Sequence, residues 1–143
     1  MFMNDISIIE RQTRVFTERH MAHANVGFPE QRILMYLAGN APSNQERIAR
    51  SFGIDKGSIT KSVAKLEEKG LIVRTINPEN KREKTIELSK RGESILDDMK
   101  AVYREWDEKM YRGITEEDKQ ALHRVLGKMA RNAEGIMEER HGE

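Results

Sequence analysis

The spacing of apolar residues predicts a mainly helical chain. Ser43 and Glu46 form an S-x-x-E capping box where a third helix would start, and Asp55 is placed to cap a fourth helix that Gly70 would end. Pro29 suits the first turn of a second helix. Apolar positions that recur every three or four residues indicate six helices, over residues 5–25, 28–39, 43–53, 55–69, 90–111 and from 115 onward.

Between the fourth and fifth helices the pattern changes from a helical period to an alternating one. The segments LIVRTI (71–76) and KTIELS (84–89) read as strands, and NPENKR (77–82) between them has turn chemistry and basic residues. Ser89 and Thr115 can cap the last two helices. The predicted fold class is therefore mainly α (α+β), with a two-stranded hairpin between helices.

Charge is distributed unevenly along the chain. The net charge is +1, but residues 43–92 carry +5 and the rest carries −4, which suits the first segment to a polyanion. The absence of cysteine excludes disulfides, thiolate nucleophiles and cysteine zinc sites. No apolar run approaches the roughly 18 residues of a membrane span, and the N-terminus lacks a secretory layout. We therefore expect a cytoplasmic protein without a membrane association.

The predicted fourth helix has two contrasting faces. Ile59, Val63 and Leu66 lie on one side, whereas Lys61 and Lys65 project the opposite way. Long basic side chains among small ones suit a helix that enters the DNA major groove, and a basic hairpin beside it would reach phosphates or the minor groove. The residues predicted to face DNA are Lys56, Ser58, Thr60, Lys61, Lys65, Arg74, Lys81, Arg82 and Lys84.

The segment QERIARSFGIDKGSITKSVAKLEEKGLIVRTINPENKREKTIELSKRG, residues 45–92, closely resembles the winged helix-turn-helix of MarR-family transcriptional regulators. The resemblance implies a homodimer that binds a pseudo-palindromic operator, usually as a repressor released by a small phenolic or other aromatic ligand. It also implies that Arg82 is the arginine of the wing tip. The family wing commonly reads Asp-x-Arg, whereas this chain has Asn80-Lys81-Arg82, so the usual ion pair that orders the wing is absent.

The resemblance covers nearly all of residues 1–143, as a single MarR-like chain. It implies a DNA-binding lobe over residues 28–92 and a helical dimerisation lobe formed by residues 1–27 and 93–143, although the apolar stripes of these outer helices could also form an intramolecular core. Family ligands sit between the two lobes. The candidates to line such a cleft, which packing would equally explain, are Phe16, His20, His23, Met35, Tyr36, Tyr103 and Trp106.

Three other interpretations compete with DNA binding. His20 and His23 are three residues apart and could share a metal, but two imidazoles alone leave a zinc site incomplete, so no metal or other cofactor is predicted. An enzyme is not indicated, because the chain has no Gly-rich phosphate loop and no Ser-His-Asp arrangement. The stronger rival is a winged helix that docks on an acidic protein partner, and such a module would ignore duplex DNA.

Overall fold

The computed structural model describes residues 2–141, and its elements confirm the predicted fold class. Six α-helices, a short 3₁₀ turn at Ala22–Ala24 and one antiparallel pair of strands account for the regular structure of that range. The α-helices and strands are α1 (Phe2–His20), α2 (Phe28–Asn40), α3 (Gln45–Phe52), α4 (Lys56–Glu68), β1 (Ile72–Ile76), β2 (Lys84–Leu88), α5 (Lys90–Met110) and α6 (Glu116–His141).

The first helix ends earlier than its apolar pattern predicts. It stops at His20 rather than near residue 25, and a 3₁₀ turn follows. Met21 is fully buried at this point, and Asn25 adopts a left-handed conformation with φ of 51°. Asparagine tolerates that conformation, which cannot continue a helix. The chain therefore turns into α2 sooner than periodicity alone suggests.

The predicted capping box at Ser43 is wrong. The side chain of Asn44 caps α3 by accepting a hydrogen bond from the Arg47 amide at 2.8 Å. Ser43 instead pairs its backbone with Ile86 of β2, through bonds of 3.1 Å and 2.7 Å. Because the backbone of Ser43 is paired with the sheet, the next residue, Asn44, caps the helix.

The other predicted caps are confirmed. Asp55 accepts a hydrogen bond from the Ser58 amide at 2.9 Å, and the Ser89 hydroxyl accepts one from the Gly92 amide at 3.0 Å. Thr115 likewise accepts from the Asp118 amide at 3.1 Å. These side chains satisfy amides that the first helical turn leaves without partners.

The hairpin is fixed to the helices by burial on one side and by a close backbone approach at its end. β1 and β2 pair antiparallel from Ile72 opposite Leu88 to Ile76 opposite Lys84, and Ile86 is 1% exposed. A Cβ atom on Gly92 would lie 2.0 Å from the Leu71 carbonyl oxygen. Only glycine therefore allows the start of α5 to pass this close to the chain before β1.

One hydrophobic core joins α2, α3, α4 and the hairpin, and its members include Leu34, Ile48, Val63, Leu66 and Leu71. The chain divides into two compact units, with the boundary between Trp106 and Asp107 inside α5. Within residues 2–141, no helix has both the length and the apolar character needed to cross a membrane.

Candidate nucleic-acid interface

The helix α4 separates its apolar and basic residues onto opposite faces. Ile59, Val63 and Leu66 are 3%, 0% and 0% exposed and pack into the core. The side chains of Lys61 and Lys65 lie on the exposed face, as do those of Lys56, Ser58, Thr60 and Ala64. The core thus fixes the rotation of the helix, and that rotation turns the lysines outward.

The hydroxyl groups at the start of α4 already have partners within the protein. Ser58 Oγ donates to Asp55 Oδ2 at 2.8 Å, and its amide also bonds to this carboxylate. These bonds hold the pKa of Asp55 below its ordinary value of 3.8. Thr60 Oγ1 lies 2.8 Å from the Lys56 carbonyl and 2.9 Å from Gln45 Oε1. Ser58 and Thr60 therefore stabilise the start of the helix, whereas the lysine side chains extend from it into solvent.

Arg74 has a partner that the sequence pattern did not reveal. Its Nε forms an ion pair with Glu67 Oε2 near the end of α4, and its side chain is only 23% exposed. We predicted a DNA contact for Arg74. In the structure, this ion pair connects Arg74 of β1 to Glu67 of α4.

The turn between the strands is ordered by its own asparagines. The Asn77 amide donates to the Glu83 carbonyl at 2.9 Å, and the Glu83 amide donates to the Asn80 carbonyl at 2.9 Å. Asn80 Oδ1 also accepts from the Arg82 amide at 3.2 Å. The exposed side chains of Lys81 and Arg82 are carried on this turn. A basic tip is thus held on a short, hydrogen-bonded loop.

A groove of about 510 Å³ lies between the start of α4 and the hairpin. It brings together four of the nine residues predicted to face DNA, whereas Lys61 and Lys65 lie further along the exposed face of α4. Sequence reasoning missed its polar lining from α3 and the hairpin, because no local pattern reveals contacts between distant segments. The groove is lined by Lys56, Arg74, Arg82, Lys84, Asn44, Gln45, Glu46, Asn80, Glu83 and Ile86.

Known proteins share this arrangement over nearly the whole chain. The family model described as MarR family matches residues 25–83. The HTH-type transcriptional regulator BilQ of Clostridium symbiosum (strain WAL-14163) is 23% identical over 128 residues, which are 90% of this chain and 89% of that protein. The crystal structure of MarR is 29% identical with a TM-score of 0.82, covering 97% of this chain and 95% of that one.

The chain thus resembles the MarR family, in the segment that the family model matches and in its fold. MarR-family proteins are DNA-binding transcriptional regulators and not enzymes. A further similar structure is that of CouR from Rhodococcus jostii RHA1 bound to p-coumaroyl-CoA, which is 25% identical with a TM-score of 0.79 over 87% of this chain and 88% of that one. The α4 helix and the hairpin therefore correspond in position to the second helix and the wing of a winged helix-turn-helix.

A second cavity has an aromatic lining and a volume of about 400 Å³. Three of the seven residues predicted to contact a ligand line it, namely Met35, Tyr36 and Tyr103. The Arg32 guanidinium, which sequence reasoning missed, lies 4.7 Å above the Phe52 ring. The complete lining, called the aromatic cleft below, consists of Thr13, Phe28, Arg32, Met35, Tyr36, Phe52 and Tyr103.

Tyr103 connects this cleft to the buried interior. Its hydroxyl donates to Gln31 Oε1 at 3.2 Å, and Gln31 Nε2 in turn donates to the Val26 carbonyl at 2.9 Å. Burial raises the pKa of Tyr103 above 10.0, with smaller opposing effects from Thr17 and Arg32. The phenol is therefore un-ionised near neutral pH and its position is fixed.

The other four predicted ligand residues lie outside the lining of the aromatic cleft. The Phe16 ring stacks on His20 at 4.0 Å between centroids and meets Trp106 at 5.0 Å. His23 Nε2 lies 3.4 Å from Asp98 Oδ2. His20 Nδ1 lies 2.8 Å from the Phe16 carbonyl, so the two histidines have different partners. Among the described residues, no group of three or more metal-ligating side chains comes together.

Proposed function

We propose that this regulator is a homodimer that binds a pseudo-palindromic operator and represses its own or neighbouring genes. The observation that carries the proposal is the orientation of α4, whose buried apolar face turns Lys56, Lys61 and Lys65 outward. In a helix-turn-helix the N-terminal part of the second helix reads base edges. Lys81 and Arg82 on the wing would add phosphate or minor-groove contacts. A DNA-binding lobe over residues 28–92 and a cytoplasmic location belong to the same proposal.

Exposed apolar side chains at both ends of the chain support a dimer. On α1, Ile8 and Ile9 are 45% and 49% exposed. On α6, Leu122, Val125 and Leu126 are 41%, 46% and 41% exposed and share one helical stripe. Apolar patches of this kind mark association surfaces. A two-fold dimer lobe built from residues 1–27 and 93–143 would set two recognition helices about 34 Å apart, one turn of DNA.

The aromatic cleft supports a small aromatic or phenolic effector that releases the DNA. Its rings from Phe28, Tyr36 and Phe52 offer stacking surfaces, and the Arg32 guanidinium offers a partner for a carboxylate or another acceptor. The CouR structure contains p-coumaroyl-CoA, which carries an aromatic acyl group. A ligand of this class would have both apolar and polar complements in the cleft.

The first test is fluorescence anisotropy with the DNA upstream of the gene and with a shuffled duplex of the same composition, across a series of salt concentrations. We expect tighter binding to the native duplex and a steep loss of affinity with salt, because phosphate contacts release counterions. No binding to either duplex at low salt would contradict the proposal. It would leave a docking module for an acidic protein as the remaining interpretation.

The dimer is tested by sedimentation velocity on Leu126→Glu. A charge in the apolar stripe of α6 should shift the protein towards monomer, because an unpaired charge is costly in an apolar interface. Lys128→Glu, which changes an exposed residue two positions further along the same helix, is the matched control and should leave the assembly unchanged. A monomeric wild-type protein would rule out the dimer.

The effector is tested by titrating simple aromatic acids, such as 4-hydroxycinnamate, into the protein–DNA complex. Release of DNA by the wild type and a weaker response of Arg32→Met are expected, because methionine keeps an apolar stem without the positive charge. Equal responses of both proteins would exclude Arg32 from the effector site.

A further inference from the structure

One carboxylate connects the start of α3 to the base of the wing. Glu83 Oε1 accepts a hydrogen bond from Asn44 Nδ2 at 2.5 Å, and Glu83 Oε2 accepts one from Asn77 Nδ2 at 3.1 Å. Asn44 is the cap of α3, whereas Asn77 follows β1 directly. The contact with Asn44 joins residues 39 positions apart in the chain.

The orientation of both asparagine side chains is set by other bonds. Asn44 Oδ1 accepts from the Arg47 amide at 2.8 Å, and Asn77 Oδ1 accepts from the Glu79 amide at 3.0 Å. Each amide oxygen is therefore engaged by a backbone donor, and each NH₂ group is turned towards Glu83. In this geometry the two donors meet different oxygens of Glu83, so both oxygens act as acceptors. An ionised carboxylate is the side chain that supplies both.

We propose that Glu83 is the positioning residue of the wing, a clamp whose two oxygens hold Asn44 and Asn77 and thereby fix the turn that carries Lys81 and Arg82. Its role in DNA binding rests on the proposed function, whereas its role in ordering the turn does not. Asn80, within this turn, is uncharged and accepts from the Arg82 amide through its side-chain oxygen. The carboxylate that anchors the turn to the helices is thus supplied by Glu83.

The clamp would act on affinity by ordering the turn before DNA arrives. A wing that is free to move loses conformational freedom on binding, and this loss weakens the complex. Glu83 also carries a negative charge in a groove that contains Lys56, Arg82 and Lys84. Simple electrostatics would make this charge unfavourable for DNA binding. Simple electrostatics and the clamp therefore predict opposite signs for its removal.

The experiment uses four full-length proteins: wild type, Glu83→Gln, Asn44→Asp and the double variant. In Glu83→Gln, the NH₂ group of the new glutamine must face the NH₂ group of Asn44 or Asn77. In Asn44→Asp, the new carboxylate faces the carboxylate of Glu83. In the double variant the donor and the acceptor are exchanged, so every bond can form again. Aspartate remains a good helix cap, and the double variant has the same net charge as the wild type. Glu87→Gln removes an exposed charge from β2 and is the matched control.

Hydrogen exchange is measured in the free proteins for the backbone amides of residues 77 and 79–84, since Pro78 has no N–H. Duplex affinity is measured by anisotropy at one salt concentration. Both single variants should exchange faster in this segment and bind DNA about three- to tenfold more weakly, the cost of ordering one or two side chains. The double variant should recover both properties. Glu87→Gln should bind as tightly as the wild type or more tightly.

Two results would overturn the clamp. One is an unchanged rate of amide exchange in Glu83→Gln. The other is a double variant whose loss of protection and of affinity equals the sum of the losses in the two single variants. Tighter DNA binding by Glu83→Gln would show that its charge and not its geometry controls affinity. If no duplex is bound by any of the proteins, the proposed function fails. The exchange data still decide whether Glu83 orders the turn, because they require no DNA.

Discussion

The helix α4 and the wing present basic residues to the same groove, but different forces hold them in place. The helix α4 is fixed by Ile59, Val63 and Leu66, which are buried in the core. The turn of the wing is held by polar contacts, among them those of Glu83 with Asn44 and Asn77. Apolar burial contributes to global stability, whereas hydrogen bonds near the surface contribute mainly to local order.

This difference suggests that the two parts of the interface fail in different ways. Loss of the buried face of α4 should unfold the whole lobe, because that face belongs to the core. Loss of a contact at the wing should leave the fold intact and change only how the basic tip is presented.

Leu66→Ala should lower the free energy of unfolding by about 2–5 kcal/mol, because it leaves a cavity in the core. Leu66 is fully buried. Urea denaturation measures the change, and Lys65→Ala, at the adjacent exposed position, is the control. A loss of stability from Lys65→Ala as large as that from Leu66→Ala would contradict the assignment of the two faces.

Replacement of both Lys61 and Lys65 by alanine should weaken operator binding without loss of stability. A side chain that reads a base edge contributes about 1–3 kcal/mol, and both residues are exposed, opposite the buried stripe. Anisotropy measures affinity, and thermal unfolding checks the fold. Lys100→Ala removes an exposed lysine from α5 and should have no effect on affinity. Unchanged binding by the double variant would show that this face of α4 does not meet DNA.

The sequence predicted the helix better than the wing, for a physical reason. The faces of α4 follow from a period of 3.6 residues within 13 positions, so a local pattern contains the information. The strands were also predicted, from their alternation and the turn residues between them. The cap at Asn44 was missed because Ser43 pairs with Ile86, a residue distant in sequence. A short stretch of sequence does not show that a distant strand will compete for the backbone of a predicted helix cap.

The candidate sites show the same limit. Met35 and Tyr36 could be selected as aromatic or flexible residues near the predicted cleft, but Arg32 and Phe52 belong to different helices and meet only in the folded chain. Arg74 looked like an outward wing residue, and its pairing with Glu67 depends on how β1 lies beside α4. Residue type and spacing indicated basic and aromatic sites, whereas the residues that these side chains contact depend on the fold.

Arg82→Ala should reduce the slope of log affinity against log salt by about one, because one phosphate contact would be lost. Its side chain is exposed at the tip of the wing, so the melting temperature should not change. Arg104→Ala, an exposed change on α5, is the matched control for charge. An unaltered slope in Arg82→Ala would show that the wing tip does not reach the DNA backbone.

The smallest expected effect concerns the cap of α4 and its dependence on pH. The hydrogen bonds from Ser58 lower the pKa of Asp55 below 3.8 in the folded protein. The folded state therefore binds this proton less readily than the unfolded state. The stability that the ionised cap contributes is fully present above the unfolded value and is lost as the pH falls through the folded value. Hydrogen bonds from Asn44 and Asn77 also lower the pKa of Glu83, so the measurement must isolate Asp55.

Asp55→Asn isolates it, because asparagine also caps helices but does not titrate in this range. The difference in unfolding free energy between the wild type and Asp55→Asn should be largest near neutral pH and should shrink below pH 3.8. Urea denaturation at several pH values measures it. A difference that does not vary with pH would mean that the Asp55 charge contributes nothing to the fold. In the wing, Glu83→Gln should lower the unfolding free energy far less than Leu66→Ala does, and an equal loss would contradict the separation between the core-held helix and the polar-held wing.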